Sequence, residues 1–429
     1  MKRVLVVQLA RFGDLLQTRR LLASLAVPEP SVPPPEVHLL VDASLVPLAA
    51  LAHPGAITHG LSAHGPGNAA GVDDPGTLAR IMGNRAVFSE LQALGFDRVY
   101  VLNHSGLARA VSTLFDPDVV VGHKLAHGQP LRDAWPALAF RFMAGRREAG
   151  INLMDFWAAF AGRMSPPEAV NPAAAPKGGG LGVVLAGREA RRSLPPEVLA
   201  PLVTAAFSRL GGKRIALLGT ADQAPAARAL CRHLRPAVAE HVRDLCGKTD
   251  LAGLFSEIAR LDGLFTPDTG AMHLAAHLGV PVTAFFLSSA WCHETGPYGV
   301  GHTVWQAMTP CAPCLETTPC GHDLACLAPF ADPRLARLVA GSGKVEPPPG
   351  VVGMRTGLDA LGAVCEPFAG EDPTVPERRA FRVFVAGHLG LGCDQGADAA
   401  LGARYYQEPD WMLDRTPSLS PGGWRIEAL

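Results

Sequence analysis

Four groups of residues have the types and spacing to do chemistry. Asp14 follows Gly13 directly after the apolar run Val4 to Val7 and opens a helical pattern. A carboxylate there can cap the helix by accepting its free N–H groups. At a strand's C-terminal end, facing a cleft, it can instead act as a general base. The second group is the run Thr266-Pro267-Asp268-Thr269-Gly270-Ala271-Met272-His273, which joins a strand to a helix reaching Leu278. Gly270 leaves backbone N–H groups open to an anion, and the helix dipole favours negative charge there. A diphosphate would fit; an ordinary capped strand–turn–helix is the plainer reading. His273 and His277 share a face at metal-binding spacing, but the run H-L-A-A-H lacks a glutamate beside its first histidine. One histidine is expected to face the cleft and the other to be structural.

The third group is Arg188 with Arg191 and Arg192, after the strand-like run Leu181 to Leu185. These cations could pair with phosphates or form a solvated basic loop. The fourth is Cys311, Cys314, Cys320 and Cys326, spaced C-x2-C-x5-C-x5-C. Thiolates so spaced could hold a structural zinc or iron, with His322 as a substitute ligand. Thiols that merely brace a Pro-rich loop are the competing reading.

Elements to position these groups alternate along the chain. Strand-like runs at Val4–Val7, Val37–Val41, Val99–Leu102 and Val119–Val121 are separated by helical stretches, which reads as a parallel α/β unit. Residues 165–180, SPPEAVNPAAAPKGGG, have the composition of a linker. The α/β pattern then resumes with runs at Leu181–Leu185, Ile215–Leu218, Leu264–Thr266 and Val282–Leu287, and a helix over Pro195–Leu210. Two such halves place a cleft between them, with a hinge near Pro172 to Gly180. The expected domains are 1–170, a linker 171–180, a second domain 181–330 with the Cys-rich loop 311–326, and an extension 331–429. In the extension, Phe381 to Ala386 reads as a weak strand and the tail from Thr416 as poorly ordered.

Composition narrows the classes. The length of 429 residues fits three average domains or two large ones. Lys plus Arg is 38 against 39 for Asp plus Glu, which argues against a dominant nucleic-acid or anionic-membrane surface. With 48% hydrophobic and 18% charged residues, the chain has enough apolar material for large cores. No apolar stretch is long enough to span a bilayer, and Gln8 and Arg11 break the first run, so no signal peptide is read. Cytoplasmic location is the expectation.

Taken together, these motifs resemble the ADP-heptose:lipopolysaccharide heptosyltransferases, glycosyltransferase family nine. The opening VLVVQLARFGDLLQTRRLLASL is similar to that family's first strand, G-D turn and helix. FDRVYVLNHSGLARA resembles an internal segment, and LCGKTDLAGLFSEIARLDGLFTPDTGAMHLAAHLGVPVTAFF is the closest match to its signature. TGPYG, Thr295 to Gly299, and the following CxPC loop also fit; the similarity runs from Met1 to about Cys326.

The resemblance implies an α/β, GT-B fold: two Rossmann-like domains with a central cleft, the N-terminal one for the acceptor and the C-terminal one for the donor. It implies inverting transfer of heptose from ADP-heptose to a hydroxyl of a lipopolysaccharide core or related glycan, with no cofactor required. Asp14 matches the proposed base. Thr269 and Gly270 match positions whose backbone meets the diphosphate, with Asp268 and His273 beside them. Arg192 stands where the family usually has lysine, and Gly247, Lys248 and Thr249 match a segment on the nucleotide side. Asp222 and Gln223 compete for the position of the family's acidic residue. Arg11, Asn103, His104 and Ser105 are the acceptor-side candidates. A lipid-linked acceptor would imply loose association with the inner membrane at most. Alternatives are another nucleotide sugar, a protein acceptor, a hexosamine epimerase on the same plan, and a catalytically silent nucleotide- or metal-binding subunit.

Overall fold

The computed structural model describes residues 2–27, 33–63, 75–186, 190–341, 345–392 and 399–406. Arg188 and the tail from Thr416 lie outside them. The chain forms two compact units.

The first unit comprises residues 1–145, 154–165 and 387–429. Its sheet contains β1 (Arg3–Gln8), β2 (Glu36–Asp42), β3 (Ile57–Leu61), β4 (Arg98–Val101), β5 (Val120–Ala126) and β6 (Gln129–Arg132). Their order is β3-β2-β1-β4-β5-β6. All neighbours are parallel except the β5–β6 hairpin. Val4 to Gln8 are all buried, as expected of a strand covered by helices on both faces. Leu5, Val7, Leu40, Val99 and Val101 share a core with Leu91 and Val111 from the covering helices. Arg20, 1% exposed, is neutralised by Asp155 and donates through Nε to Ser165 O at 3.0 Å. Residues 399–406 form a helix whose carbonyls at Tyr405 and Tyr406 accept from Arg141.

The second unit comprises residues 146–153 and 166–386. Its sheet contains β7 (Leu181–Val184), β8 (Ile215–Leu218), β9 (Val242–Asp244), β10 (Gly263–Thr266), β11 (Val282–Phe286), β12 (Thr303–Ala307), β13 (Val351–Leu358) and β14 (Ala363–Ala369). The order is β14-β13-β12-β11-β10-β7-β8-β9. The strands from β7 to β12 are parallel, while β13 and β14 join antiparallel. Burial of β7, β8 and β10 is complete along their length, which explains their unbroken apolar sequences.

Three expectations change here. The boundary expected at 330 cuts through this unit. Leu335 and Val339, on the helix Pro333–Val339, belong to its core together with Val351 of β13. Phe381 to Ala386 is part of the helix Val375–His388, not a strand. Arg378, Phe381, Arg382 and Val385 are buried at three- and four-residue intervals, the helical period; a short apolar run cannot reveal it alone.

Nor is the Pro/Gly segment before β7 a slack linker or hinge. Ala174, Ala175, Lys177 and Gly179 donate backbone bonds to Val300, Gly279, Leu261 and Arg260. Asp262 accepts from Gly178 N at 2.5 Å and Gly180 N at 2.9 Å. Proline and glycine removed the periodic signal, but the backbone donors still found partners in the unit.

Candidate active site

Each unit has a topological switch point, where neighbouring strands send their connections to opposite sides of the sheet. Ligands of open α/β sheets bind beyond the carboxyl ends of such strands. In the first unit it lies between β1 and β4, and in the second between β7 and β10.

Asp14 follows β1. It sits in the first turn of the helix Phe12–Gln17, whose N-cap is Arg11. Asp14 is therefore not the cap; its Oδ2 accepts from Arg11 N at 3.0 Å. Asp14 remains half-buried and Arg11 exposed. Asn103 follows β4 and links the two strand ends. Its Oδ1 accepts from Leu9 N at 2.7 Å and its Nδ2 donates to Gln8 Oε1 at 2.6 Å. Ser105 caps the helix Gly106–Ser112, accepting from Ala108 N at 3.2 Å. His104 is exposed beside Phe140 and buried His123, ring centroids 5.9 and 6.0 Å away. Burial pushes His123 down to about 4, so it is neutral at pH 7.

In the second unit, Asp268, Thr269 and Gly270 follow β10. Thr269 is the N-cap of the helix Gly270–His277 and accepts from Met272 N at 3.4 Å. Its hydroxyl also lies 2.9 Å from that of Thr266. Arg192, from the loop after β7, donates to Asp268 Oδ2 at 2.5 Å. Thr295 donates to the same oxygen at 3.0 Å. Asp268 is enclosed: burial raises its pKa, against the opposing pull of Arg192 and the Thr295 hydrogen bond.

His273 Nε2 stands 3.9 Å from Asp268 Oδ1, and burial followed by Arg192 lowers its pKa to about 4. It is a neutral group at the turn. His277 is buried on the same helix. Among the described residues neither histidine belongs to a set of three converging metal ligands.

Gly247 follows β9 and packs against the turn after β8, donating its N–H to Gly219 O at 2.9 Å. Its φ is +68°, and a Cβ would lie 2.8 Å from Ala221 Cα, so only glycine fits. Lys248 turns back on Asp244, donating to its carbonyl at 2.8 Å. Thr249 precedes Asp250, the N-cap of the next helix, Leu251–Ala259. Asp222 accepts from Thr220, and Gln223 Nε2 lies 3.5 Å from Ala186 O.

The Cys311–Cys326 loop is braced by arginines. Arg147 donates to the carbonyls of Thr309, Pro310 and Ala312. Arg146 donates to Cys314 O at 3.0 Å, and Arg191 to Thr318 O at 2.6 Å and to Glu316 O. Arg191 is thus neither a free solvated cation nor aimed at the Asp268 turn. Cys320 is exposed and Cys326 buried. Burial and then Cys311 raise the Cys314 pKa, whereas backbone N–H groups of His322 and Leu324 lower that of Cys320. No three of these thiols converge within 4.8 Å.

Sequence reasoning missed Thr295 as a partner of Asp268. It also missed the Arg146–Glu294 pair, at 2.6 Å, beside it. The run TGPYG marked the place without marking its role.

Residues 203–322 match the model for glycosyltransferase family 9 (heptosyltransferase). Among curated proteins none matches the sequence. Among solved structures, ADP-heptose lps heptosyltransferase II of E. coli is 17% identical, with a TM-score of 0.50 over 77% of this chain and 98% of that one. A glycosyl transferase of family 9 from Veillonella parvula is 16% identical, TM-score 0.57, over 80% and 96%. E. coli heptosyltransferase WaaC with ADP is 18% identical, TM-score 0.53, over 71% and 93%. These likenesses show the fold, α/β of the GT-B kind. Residues 203–322, the stretch of the second unit that holds Gly247 and the Asp268 turn, are thus similar to the heptosyltransferases of glycosyltransferase family 9, and the solved structures share the fold.

Proposed function

We propose that this chain is a glycosyltransferase that moves heptose, with inversion, from ADP-heptose to a hydroxyl of a lipopolysaccharide core or related glycan. The observation that carries the reading is the Asp268-Thr269-Gly270 turn at the second unit's switch point, with Arg192 delivered to it from the adjacent strand. Two proteins of similar fold support the donor: one is an ADP-heptose lps heptosyltransferase and another is a heptosyltransferase with ADP.

The chemistry follows from the residues. Departure of ADP builds negative charge on the diphosphate. The N–H groups that open the helix Gly270–His277, together with Arg192, stabilise that charge. Asp268 fixes the guanidinium and is held in turn by Thr295, so the cation is positioned before the donor arrives. His273, neutral, lines the turn without adding a proton to it. Gly247, Lys248 and Thr249 are assigned to the nucleotide side. Asp14 takes the proton from the acceptor hydroxyl. A single displacement through an oxocarbenium-like transition state then inverts the anomeric centre, as in inverting glycosidases. His104 and Arg11, exposed beside Asp14's switch point, are the acceptor contacts of this reading. No cofactor enters it. No described helix is long and apolar enough to cross a membrane, so a lipid-linked acceptor would be met at the surface.

The test is transfer itself. Asp14→Asn should lower turnover with ADP-heptose and a core acceptor by about 10²- to 10⁴-fold, with donor affinity nearly intact. Full turnover by that variant removes Asp14 as the base.

A further inference from the structure

The second unit contains a buried set of soft ligands away from the Asp268 turn. Cys292 and His293 open the short helix Cys292–Thr295, and Cys365 lies on β14 opposite Thr356 of β13. They are 1%, 5% and 7% exposed. One ligand atom from each lies within 4.8 Å of the others, and this is the set of three converging metal ligands among the described residues. His293 Nε2 is buried with no hydrogen-bond partner, which is unusual for a buried imidazole. Asp372, fully enclosed, stands 3.9 Å from that nitrogen.

From this geometry we infer that Cys292, His293 and Cys365 bind a divalent metal ion of the zinc type, with the Asp372 carboxylate beside His293. Two sulfurs and one imidazole form the donor set that zinc prefers over magnesium or calcium. Binding exchanges two thiol protons for the cation, so two thiolates balance its charge. Asp372 and Arg378, paired at 2.8 Å, balance each other, and Thr374 donates to Asp372 at 2.7 Å through its hydroxyl and 3.0 Å through its N–H.

The position has a consequence. Thr295, three residues after Cys292, hydrogen-bonds Asp268. A metal here ties the β13–β14 hairpin to the segment that supports the candidate donor turn. Its role is structural, and the inference does not depend on which sugar is transferred.

The full chain, stripped by a chelator under reducing conditions, is titrated with Zn²⁺ and, separately, with Co²⁺. The expected result is an equivalent of zinc that raises Tm, and a thiolate-to-cobalt charge-transfer band with cobalt. Cys365→Val fills the same apolar space without a donor and should lose that equivalent and its Tm shift. His293→Gln should bind zinc at least about tenfold more weakly, and it decides the question if Cys365→Val does not fold. A variant with serine at Cys311, Cys314, Cys320 and Cys326 should keep the equivalent. Loss of all metal from that fourfold variant would overturn the assignment. So would unchanged binding in both Cys365→Val and His293→Gln, or a wild-type chain whose Tm does not respond to zinc.

Discussion

At the residue scale, the candidate donor turn depends on one carboxylate with two donors. Asp268 receives Arg192 and Thr295 on the same oxygen. Arg192 is at once the partner of Asp268 and the cation assigned to the diphosphate. Arg192→Ala should weaken ADP binding by about ten- to a hundredfold, the range for losing a hydrogen bond to a charged group. Calorimetric titration reads this directly, and unchanged affinity would remove Arg192 from the diphosphate site. Lysine at the same position keeps the charge but loses the planar fork, so Arg192→Lys should fall between. Thr295→Val removes one of Asp268's two donors while keeping the volume. It should weaken ADP binding less than Arg192→Ala; a larger effect would make Thr295 the principal support. The run from Asp268 to His273 was legible in the sequence because a strand–turn–helix is local. The Arg192–Asp268 contact was not, because its members are 76 residues apart and meet only once β7 lies beside β10. The Cys292–Cys365 approach was hidden for the same reason.

At the element scale, buried neutral histidines brace the sheets. His302 is enclosed just before β12, and its Nδ1 accepts from Val282 N at the start of β11, at 3.2 Å. Burial lowers its pKa from 6.5 to about 4. A depressed folded-state value means the unfolded chain binds this proton first as pH falls. The stabilisation is therefore complete above pH 6.5 and is lost as pH falls towards about 4. One such group contributes a slope of up to about 1.4 kcal/mol per pH unit in that window. His302→Gln should flatten the dependence of unfolding free energy on pH between 6.5 and 4 by up to this amount, whatever it does to stability at pH 7. A denaturant series across those pH values measures it, and an unchanged slope would refute the assignment. A second element-level test is Gly247→Ala. Its positive φ and the Ala221 contact should cost about 1–3 kcal/mol and shift the adjoining loop. Thermal unfolding checks it, and wild-type stability would show that the loop tolerates a side chain.

Elements differed in how plainly the sequence announced them. The buried strands β1, β2, β4, β7, β8, β10 and β11 appear as apolar runs and were placed within a residue or so, whereas β12, equally buried but interrupted by Gln306, was not. The helix Val375–His388 was misread because two arginines, Arg378 and Arg382, lie on its buried face and interrupt the apolar stripe. Their charges are met by Asp372 and Asp359, which no local pattern could show. Pro- and Gly-rich backbone between 172 and 180 looked like a tether because side chains carry the usual signal, whereas here the backbone makes the contacts.

At the scale of the whole molecule, two α/β units were legible from the repeated strand–helix alternation, but their membership was not. The first unit takes three separate stretches of chain, and the second takes two. Contiguous boundaries could not anticipate residues 146–153 joining the second unit, or β13 and β14 extending its sheet from beyond 330. Asp14 and Asn103 lie at the first unit's switch point and Arg192, Asp268, Thr269 and Gly270 at the second's, whereas Gly247 to Thr249 follow β9 at the sheet's far side. The central claim is that the turn in the second unit binds ADP. The most direct measurement is a titration of the full chain with ADP, UDP and GDP without added metal, repeated on Gly270→Val, which adds side-chain bulk at the anion-facing turn. The account predicts binding selective for ADP that the substitution abolishes. Preference for UDP or GDP, no binding to any of the three, or ADP binding indifferent to Gly270→Val would contradict it.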